Sequence, residues 1–240
     1  MPEWDAPRQV EAWFTTRGGG VSHGPYASMN LGLHVGDSPE AVAENRRLAL
    51  LAVPDKPVWL NQVHGNAVVC LDALPATTPA ADAAIATRGG LVCTVLVADC
   101  LPVFLCDRDG TTVGVAHAGW RGLAAGVLEA SIRAIALPTE RVIAYLGPAI
   151  GANAFEVGAE VREAFITADE GAHEAFRPIA GRPEKYWCDL NQLARRRLRA
   201  VGVHDISGGA HCTYSRPDRF FSFRRDGVTG RMGAFIRLRG

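Results

Sequence analysis

At 240 residues, with 48% hydrophobic and 21% charged residues, the chain is long enough to bury one substantial core and falls within the range of a single large domain. Lys plus Arg equals Asp plus Glu at 25 each, so no global field favours nucleic acid or an anionic membrane, and anion binding falls to local basic clusters. No apolar run approaches the length that crosses a bilayer, and the start Met1-Pro2-Glu3-Trp4-Asp5 is polar with no basic segment leading into an apolar one, so the expected location is the cytoplasm.

The first predicted element is a strand over Val10-Glu11-Ala12-Trp13-Phe14, running into the loop Thr15-Thr16-Arg17-Gly18-Gly19-Gly20. Asp37 or Ser38 caps a helix with Pro39 at its first position that extends to about Leu51, with Pro54 beyond it. The centre is β-rich. Val58-Trp59-Leu60, residues 67–71, 91–97, 103–106 and 112–116 are short apolar runs bounded by turn residues, and Asp107-Arg108-Asp109-Gly110 makes the hairpin turn between the last two. Residues 73–84, rich in Ala, Pro and Thr, read as a surface loop. A helix follows over 123–130 and ends before Pro138, and a strand over 142–146 enters the tight loop Gly147-Pro148-Ala149-Ile150-Gly151.

Further helices are expected around Val157, Val161, Ala164 and Phe165, and after the cap Asp189, where Leu190, Leu193, Ala194, Leu198 and Val201 recur at helical spacing before Gly202. The run Arg195-Arg196-Arg197 falls on the solvated face of that last helix, and residues 232–238 close the chain as a strand. Strands and helices interleave, and several strands are joined too tightly for helical crossovers. The expected fold class is therefore α+β, with a mixed sheet or paired sheets flanked by helices, in a single domain over 1–240.

Six cysteines, Cys70, Cys93, Cys100, Cys106, Cys188 and Cys212, are scattered without the density of a disulfide scaffold. Cys70, Cys93 and Cys106 sit in apolar runs and read as core packing. Cys100 differs, because Ala98-Asp99-Cys100-Leu101-Pro102 is a polar break between apolar runs. His64 in Gln62-Val63-His64-Gly65 and His117 in His117-Ala118-Gly119-Trp120-Arg121-Gly122 occupy similar breaks. Each is weak alone, since a lone His or Cys is more often structural. If the three, each expected at a strand end, converge, they make a three-ligand Zn²⁺ site with one open position, the arrangement of a catalytic zinc, and their wide spacing excludes a compact zinc finger. Asp99 either orients a ligand and moves a proton or caps a turn before Pro102, and Trp120 either lines the pocket or packs in the core.

At these residues the sequence resembles the bacterial YfiH-like family, whose members have carried the labels laccase-domain protein, polyphenol oxidase and purine nucleoside phosphorylase. The resemblance covers nearly the whole chain, from Thr15-Thr16-Arg17-Gly18-Gly19, Asn30-Leu31-Gly32 and Asn45-Arg46 through the three ligand motifs to Cys212-Thr213-Tyr214, Phe221-Ser222-Phe223-Arg224-Arg225-Asp226-Gly227 and Thr229-Gly230-Arg231-Met232. It implies a mixed β-sandwich surrounded by helices, zinc on His64, Cys100 and His117, and phosphorolysis of adenosine, inosine and methylthioadenosine, with adenosine deamination also attributed to it. The loop Gly151-Ala152-Asn153-Ala154-Phe155 departs from the family pattern of Pro and Cys near Asn153 and often Tyr at Phe155, which weakens any case for a second metal there. Copper suits the chain less well than zinc. A multicopper oxidase needs many histidines, and of the seven here only two stand in ligand-like loops.

Phosphorolysis requires a phosphate site, and arginines on glycine-rich loops serve it, so Arg17, Arg121 and Arg225 are the candidates against the alternative of surface or ion-paired arginines. Asp99 is the preferred proton carrier, making Asp99, Cys100 and His117 the expected catalytic residues. The expected partners are purine nucleosides and phosphate, with no nucleic acid or membrane, and the expected state is a monomer or weak homo-oligomer. Two rivals stand beside this reading. One is a cysteine hydrolase with Cys100 as nucleophile and His117 as base, in keeping with the family's link to peptidoglycan-precursor editing. The other is a non-catalytic zinc module, which predicts a fourth protein ligand and a closed site.

Overall fold

Residues 4–51, 53, 55–73 and 77–239 are described by the structure, a computed structural model. The start Met1-Pro2-Glu3, the stop residue Pro54 and residues 74–76 of the expected surface loop lie outside the described residues.

In chain order the strands are β1 (Val10–Phe14), β2 (Lys56–Val58), β3 (Val68–Cys70), β4 (Ala83–Ala86), β5 (Leu91–Val97), β6 (Leu101–Asp107), β7 (Val113–Ala118), β8 (Val142–Leu146), β9 (Glu156–Gly158), β10 (Phe176–Pro178), β11 (Lys185–Cys188), β12 (Asp205–Gly208) and β13 (Met232–Leu238). The helices are α1 (Pro39–Ala49), α2 (Trp120–Ala124), α3 (Val127–Ile135), α4 (Ala159–Ile166), α5 (Leu190–Ala200) and the single turn α6 (Phe223–Asp226). A four-stranded sheet runs β1-β13-β5-β2 and a six-stranded sheet β12-β8-β6-β7-β4-β3, each mixing parallel and antiparallel pairs, while β10-β11-β9 form a small antiparallel sheet. Among the described residues no helix is long and apolar enough to cross a membrane.

Side-chain alternation explains the layering. All seven residues of β6 are buried, because both faces of the six-stranded sheet are covered. Leu101, Val103 and Leu105 turn to one face and join residues of α3, α4 and α5, whereas Phe104 and Cys106 turn to the other and pack against Cys93, Val95 and Ile236 of the four-stranded sheet. Of the mixed or paired sheets that the interleaved elements allowed, the structure has the paired form, the mixed β-sandwich with flanking helices that the family resemblance implies.

Local signals placed several elements well. Ser38 caps α1, its hydroxyl accepting from the Ala41 N–H, with Pro39 at the first position. Asp37 instead accepts from Asn30 Nδ2 at 2.9 Å and Ser22 Oγ at 2.6 Å. In the β6–β7 hairpin the Asp107 carboxylate accepts from the N–H groups of Asp109, Thr111 and Thr112.

Other expectations are corrected. The expected loop over 73–84 runs into β4, since residues 81–86 are buried and the alanines let α3 lie close on the sheet. The helix expected over 123–130 is two helices, broken where Gly126 takes φ 88°. Val157 belongs to β9, and α4 begins two residues later. Cys70 is exposed because β3 is an edge strand, so it is not core packing, whereas Cys93 and Cys106 are buried. Arg195, Arg196 and Arg197 are half-buried rather than solvated, bonded respectively to the Ile206 and Gly208 carbonyls, to Asp169 and to Glu129.

Asn45 on α1 stitches the N-terminal loop together. Its Nδ2 lies 2.8 Å from both Ser22 Oγ and the Asn30 carbonyl, and its Oδ1 accepts from the Val21 N–H at 2.8 Å. Replacing Asn45 with Ala strands those buried partners, and equilibrium denaturation is expected to show a loss of about 2–3 kcal/mol. An unchanged denaturation midpoint would contradict this account of the loop.

Candidate metal centre

Three separate segments deliver the donor atoms. His117 lies in β7, paired in register with Pro102 of β6, so the sheet itself sets its position. Cys100 occupies the link between β5 and β6, immediately after Asp99, which takes φ 86°. His64 takes φ 59°, another left-handed conformation that non-glycine residues avoid. Among the described residues, two of the four non-glycine residues with positive φ thus sit at or beside the triad, which is where strained backbone tends to gather. The His64, Cys100 and His117 donor atoms all lie within 4.8 Å of one another. Gly119 is required by this packing, for a Cβ there would stand 2.8 Å from Cys100 Sγ.

Asp82 organises two of the three. Its carboxylate accepts from the backbone N–H groups of Val63, His64 and Gly65 at 3.1, 3.0 and 2.8 Å, and its Oδ1 lies 2.8 Å from His117 Nδ1. The backbone carbonyl of Asp82 accepts from the His117 N–H at 2.7 Å. Binding Nδ1 to a carboxylate leaves Nε2 as the nitrogen offered to a ligand, the usual way a carboxylate orients an imidazole in a metal site. Sequence reading passed over Asp82 because it stands in the alanine-rich stretch taken for a surface loop.

Burial alone would push the Cys100 thiol up, but the imidazoles of His117 and His64 hold it below its ordinary range. Burial likewise opposes charge on His117, yet the Cys100 thiolate and Asp82 carboxylate raise its pKa. A deprotonated thiol is the form that binds metal. The donors fit zinc on this chemistry: one soft thiolate and two imidazoles, close enough for small rotations to bring all three to bond lengths of about 2.0–2.3 Å from one ion. No second group of this kind converges among the described residues, so the several centres of a multicopper oxidase have no ligand sets there, and the 151–155 loop contributes none.

The triad opens into a cavity of about 520 Å³ lined by His34, Asn61, Gln62, Phe223 and Arg231 as well as the three donors. A smaller apolar pocket of about 120 Å³, with Trp120, Ile150, Phe155 and Leu190 in its wall, adjoins it through Ala98, Cys100 and Phe223. Trp120 therefore both lines a pocket and packs on the core.

None of the three expected phosphate arginines lines either cavity. Arg17 donates to the Ala27 and Pro217 carbonyls and lies over the Phe221 ring. Arg225 spends its guanidinium on the Thr213, Tyr214 and Phe220 carbonyls and on Asp226. Arg121 is exposed and stacked over Trp120, away from the triad's cavity. Asp99, expected to carry a proton, lines the smaller pocket with Cys100 and accepts from Thr213 Oγ1 at 2.6 Å, Ser222 Oγ at 3.0 Å and the Arg224 N–H at 2.7 Å, which ties the C-terminal loops to the β5–β6 link. Glycine-rich surroundings suggested these arginines, but tight loops need bonded arginines as much as phosphate sites do. Arg231, next to Gly230, carried the same kind of signal.

Comparison with known proteins places this architecture. The family model described as multi-copper polyphenol oxidoreductase laccase matches residues 11–239. A Shigella flexneri protein named purine nucleoside phosphorylase YfiH is 52% identical over 99% of this chain and 98% of its own length, and a Pseudomonas aeruginosa purine nucleoside phosphorylase is 50% identical over 99% and 97%. The crystal structure of a Neisseria meningitidis protein superimposes with a TM-score of 0.97 at 50% identity, covering 100% of this chain and 98% of that one. A Bacillus licheniformis YfiH structure gives 0.89 at 31% identity, over 96% and 93%. Matched from end to end in sequence and in fold, this chain belongs to the YfiH-like family, the laccase-domain proteins.

Proposed function

We propose that residues 1–240 form a single catalytic domain, a zinc-dependent purine nucleoside phosphorylase of the cytoplasm that works as a monomer or weak homo-oligomer. The observation that carries the reading is the three-donor centre on the wall of a roomy cavity, with an apolar pocket beside it, in a chain whose relatives are named for this activity. In phosphorolysis a phosphate oxygen bonds to the sugar C1′ and the glycosidic C–N bond breaks. Its electron pair leaves with the base, which ends with the proton that hydrogen phosphate brought.

His64, Cys100 and His117 would hold the ion, which when bound supplies Lewis acidity toward substrate oxygen or nitrogen atoms. Asp82 keeps His117 and the His64 loop in place for it. The purine enters the apolar pocket, whose wall includes Trp120 and Phe155, and the sugar lies between that pocket and the larger cavity, beside Cys100. Adenosine deamination uses the same cavity with water in place of phosphate.

Zinc-loaded protein incubated with adenosine is expected to yield adenine and ribose 1-phosphate only when phosphate is present. Inosine formed without phosphate would identify deamination, and no turnover by a metal-replete sample would reject both.

A second reading rests on the Cys100–His117 contact itself. A thiol held low beside a raised imidazole is the pair a cysteine hydrolase uses, including one that edits a peptidoglycan precursor. Zinc should protect Cys100 from alkylation if it is a ligand, and stoichiometric alkylation of zinc-loaded protein would favour the hydrolase.

A further inference from the structure

The larger cavity has a charge pattern that the metal centre does not account for. Among the described residues no Asp or Glu lines it. Its fixed cation is Arg231, which is held rigidly: its backbone N–H donates to Asn30 Oδ1 at 2.8 Å, and its Nη1 donates to the Thr229 and Gly230 carbonyls at 3.0 and 3.1 Å. Its stem packs where Gly32 has no side chain, since a Cβ at Gly32 would come within 2.8 Å of the Arg231 Cγ. Among the described residues Nε and Nη2 have no protein partner, leaving two neighbouring donors of the planar fork uncommitted. Such a fork binds two oxygens of a tetrahedral oxyanion at once.

The rest of the cavity supports an anion at that end. His34 shares the wall, and its imidazole is held below the ordinary range by burial and then by the charges of Arg231, Arg46 and His64. Asn61 adds an exposed side-chain amide with no protein partner among the described residues. Arg231 is thus a fixed positive charge on this wall, offset in part by the negative charges of Cys100 and Asp99, with the His34 imidazole and the Asn61 amide as uncharged donors beside it.

We infer that Arg231, with His34 and Asn61 beside it, forms the phosphate subsite of this cavity and takes the place expected for Arg17, Arg121 or Arg225. The assignment rests on the phosphorolysis reading for its substrate, and on geometry alone for its preference for a tetrahedral oxyanion. It puts phosphate in the larger cavity and the purine in the smaller pocket, with Cys100 on the wall of both.

The test measures binding of inorganic phosphate to zinc-loaded protein by titration calorimetry and, separately, the phosphate KM with adenosine. Arg231→Gln is expected to weaken phosphate binding and raise its KM by about 10- to 100-fold, while the nucleoside KM and zinc content stay within about twofold. Arg231→Lys, which keeps the charge but not the fork, should fall between. Should the variants fail to fold, phenylglyoxal labelling of the wild-type protein, mapped by mass spectrometry, answers the same question: phosphate is expected to protect Arg231.

Unchanged phosphate affinity in folded Arg231→Gln, labelling of Arg231 at saturating phosphate, or no phosphate binding by the wild type would each overturn the subsite. Phosphate bound through Arg231 without any ribose 1-phosphate formed would support the subsite and reject the phosphorolysis reading. Phosphorolysis with an unaltered phosphate KM in Arg231→Gln would do the reverse.

Discussion

Replacing Cys100 with Ser is expected to strip the metal from the centre and lower kcat/KM by on the order of 1000-fold, because a hydroxyl is a far poorer zinc donor than a thiolate. The remaining donors, His64 and His117, make only a two-imidazole set, and within the described residues no other His, Cys, Asp or Glu joins them in a metal-binding group. The fold should survive, since Ser is close to Cys in size and Cys100 is only partly buried, on the wall of the cavity. Metal analysis of the purified variant, alongside its rate with adenosine and phosphate, checks both halves of the expectation. Loss of rate with full zinc content would instead point to Cys100 as a nucleophile. Retained metal and full rate would remove it from the site altogether.

The second large effect is expected at a residue that never touches substrate. Asp82 is fully buried, and four N–H groups converge on its carboxylate, three from the His64 loop and one from the His117 ring. In Asp82→Asn the amide keeps the volume but turns an NH₂ toward donors, so at least one N–H loses its acceptor. Zinc affinity should drop by about 10- to 100-fold, the usual consequence of losing the carboxylate behind a metal-binding imidazole. Competition with a chromophoric chelator measures that drop.

A destabilisation of about 2–3 kcal/mol is expected beside it, from stranded buried donors to a formerly charged acceptor. Zinc affinity within twofold of the wild type would show that the two imidazoles are placed by the strands alone. The ¹⁵N shifts of His117 separate positioning from mere loss of fold, because losing the Nδ1 partner alters the tautomer in a protein that is still folded.

Much of the framework was legible in the chain. Ser38-Pro39 announced α1 and Asp189 announced α5, because a cap and the helix it starts are neighbours in sequence. The runs that became β5 and β6 read as strands because they are apolar throughout and end at turn residues. The failures share a cause. Ala83–Ala86 carries little hydrophobic signal, yet it is fully buried because α3 needs small side chains beneath it, and with β4 misread Asp82 was lost from view. Gly126 and Val157 changed element type through backbone conformation and sheet pairing that composition does not reveal.

By itself the sequence pointed to the donor types of the centre, for His64, Cys100 and His117 each pair metal-binding chemistry with a break between apolar runs. It also determined the layered α+β class, since strand and helix periodicity follow from residues a few positions apart. Only the tertiary structure decided which charged groups are free to act. Asp99 is bonded to loops more than 100 positions away and Arg225 to one about ten away, Asp82 is drawn to His117 across 35 positions, and Arg231 is anchored on Asn30 across 201. Hydrogen-bond partners are chosen by whatever packing brings within about 3 Å, and that proximity is a property of the folded chain rather than of any local segment.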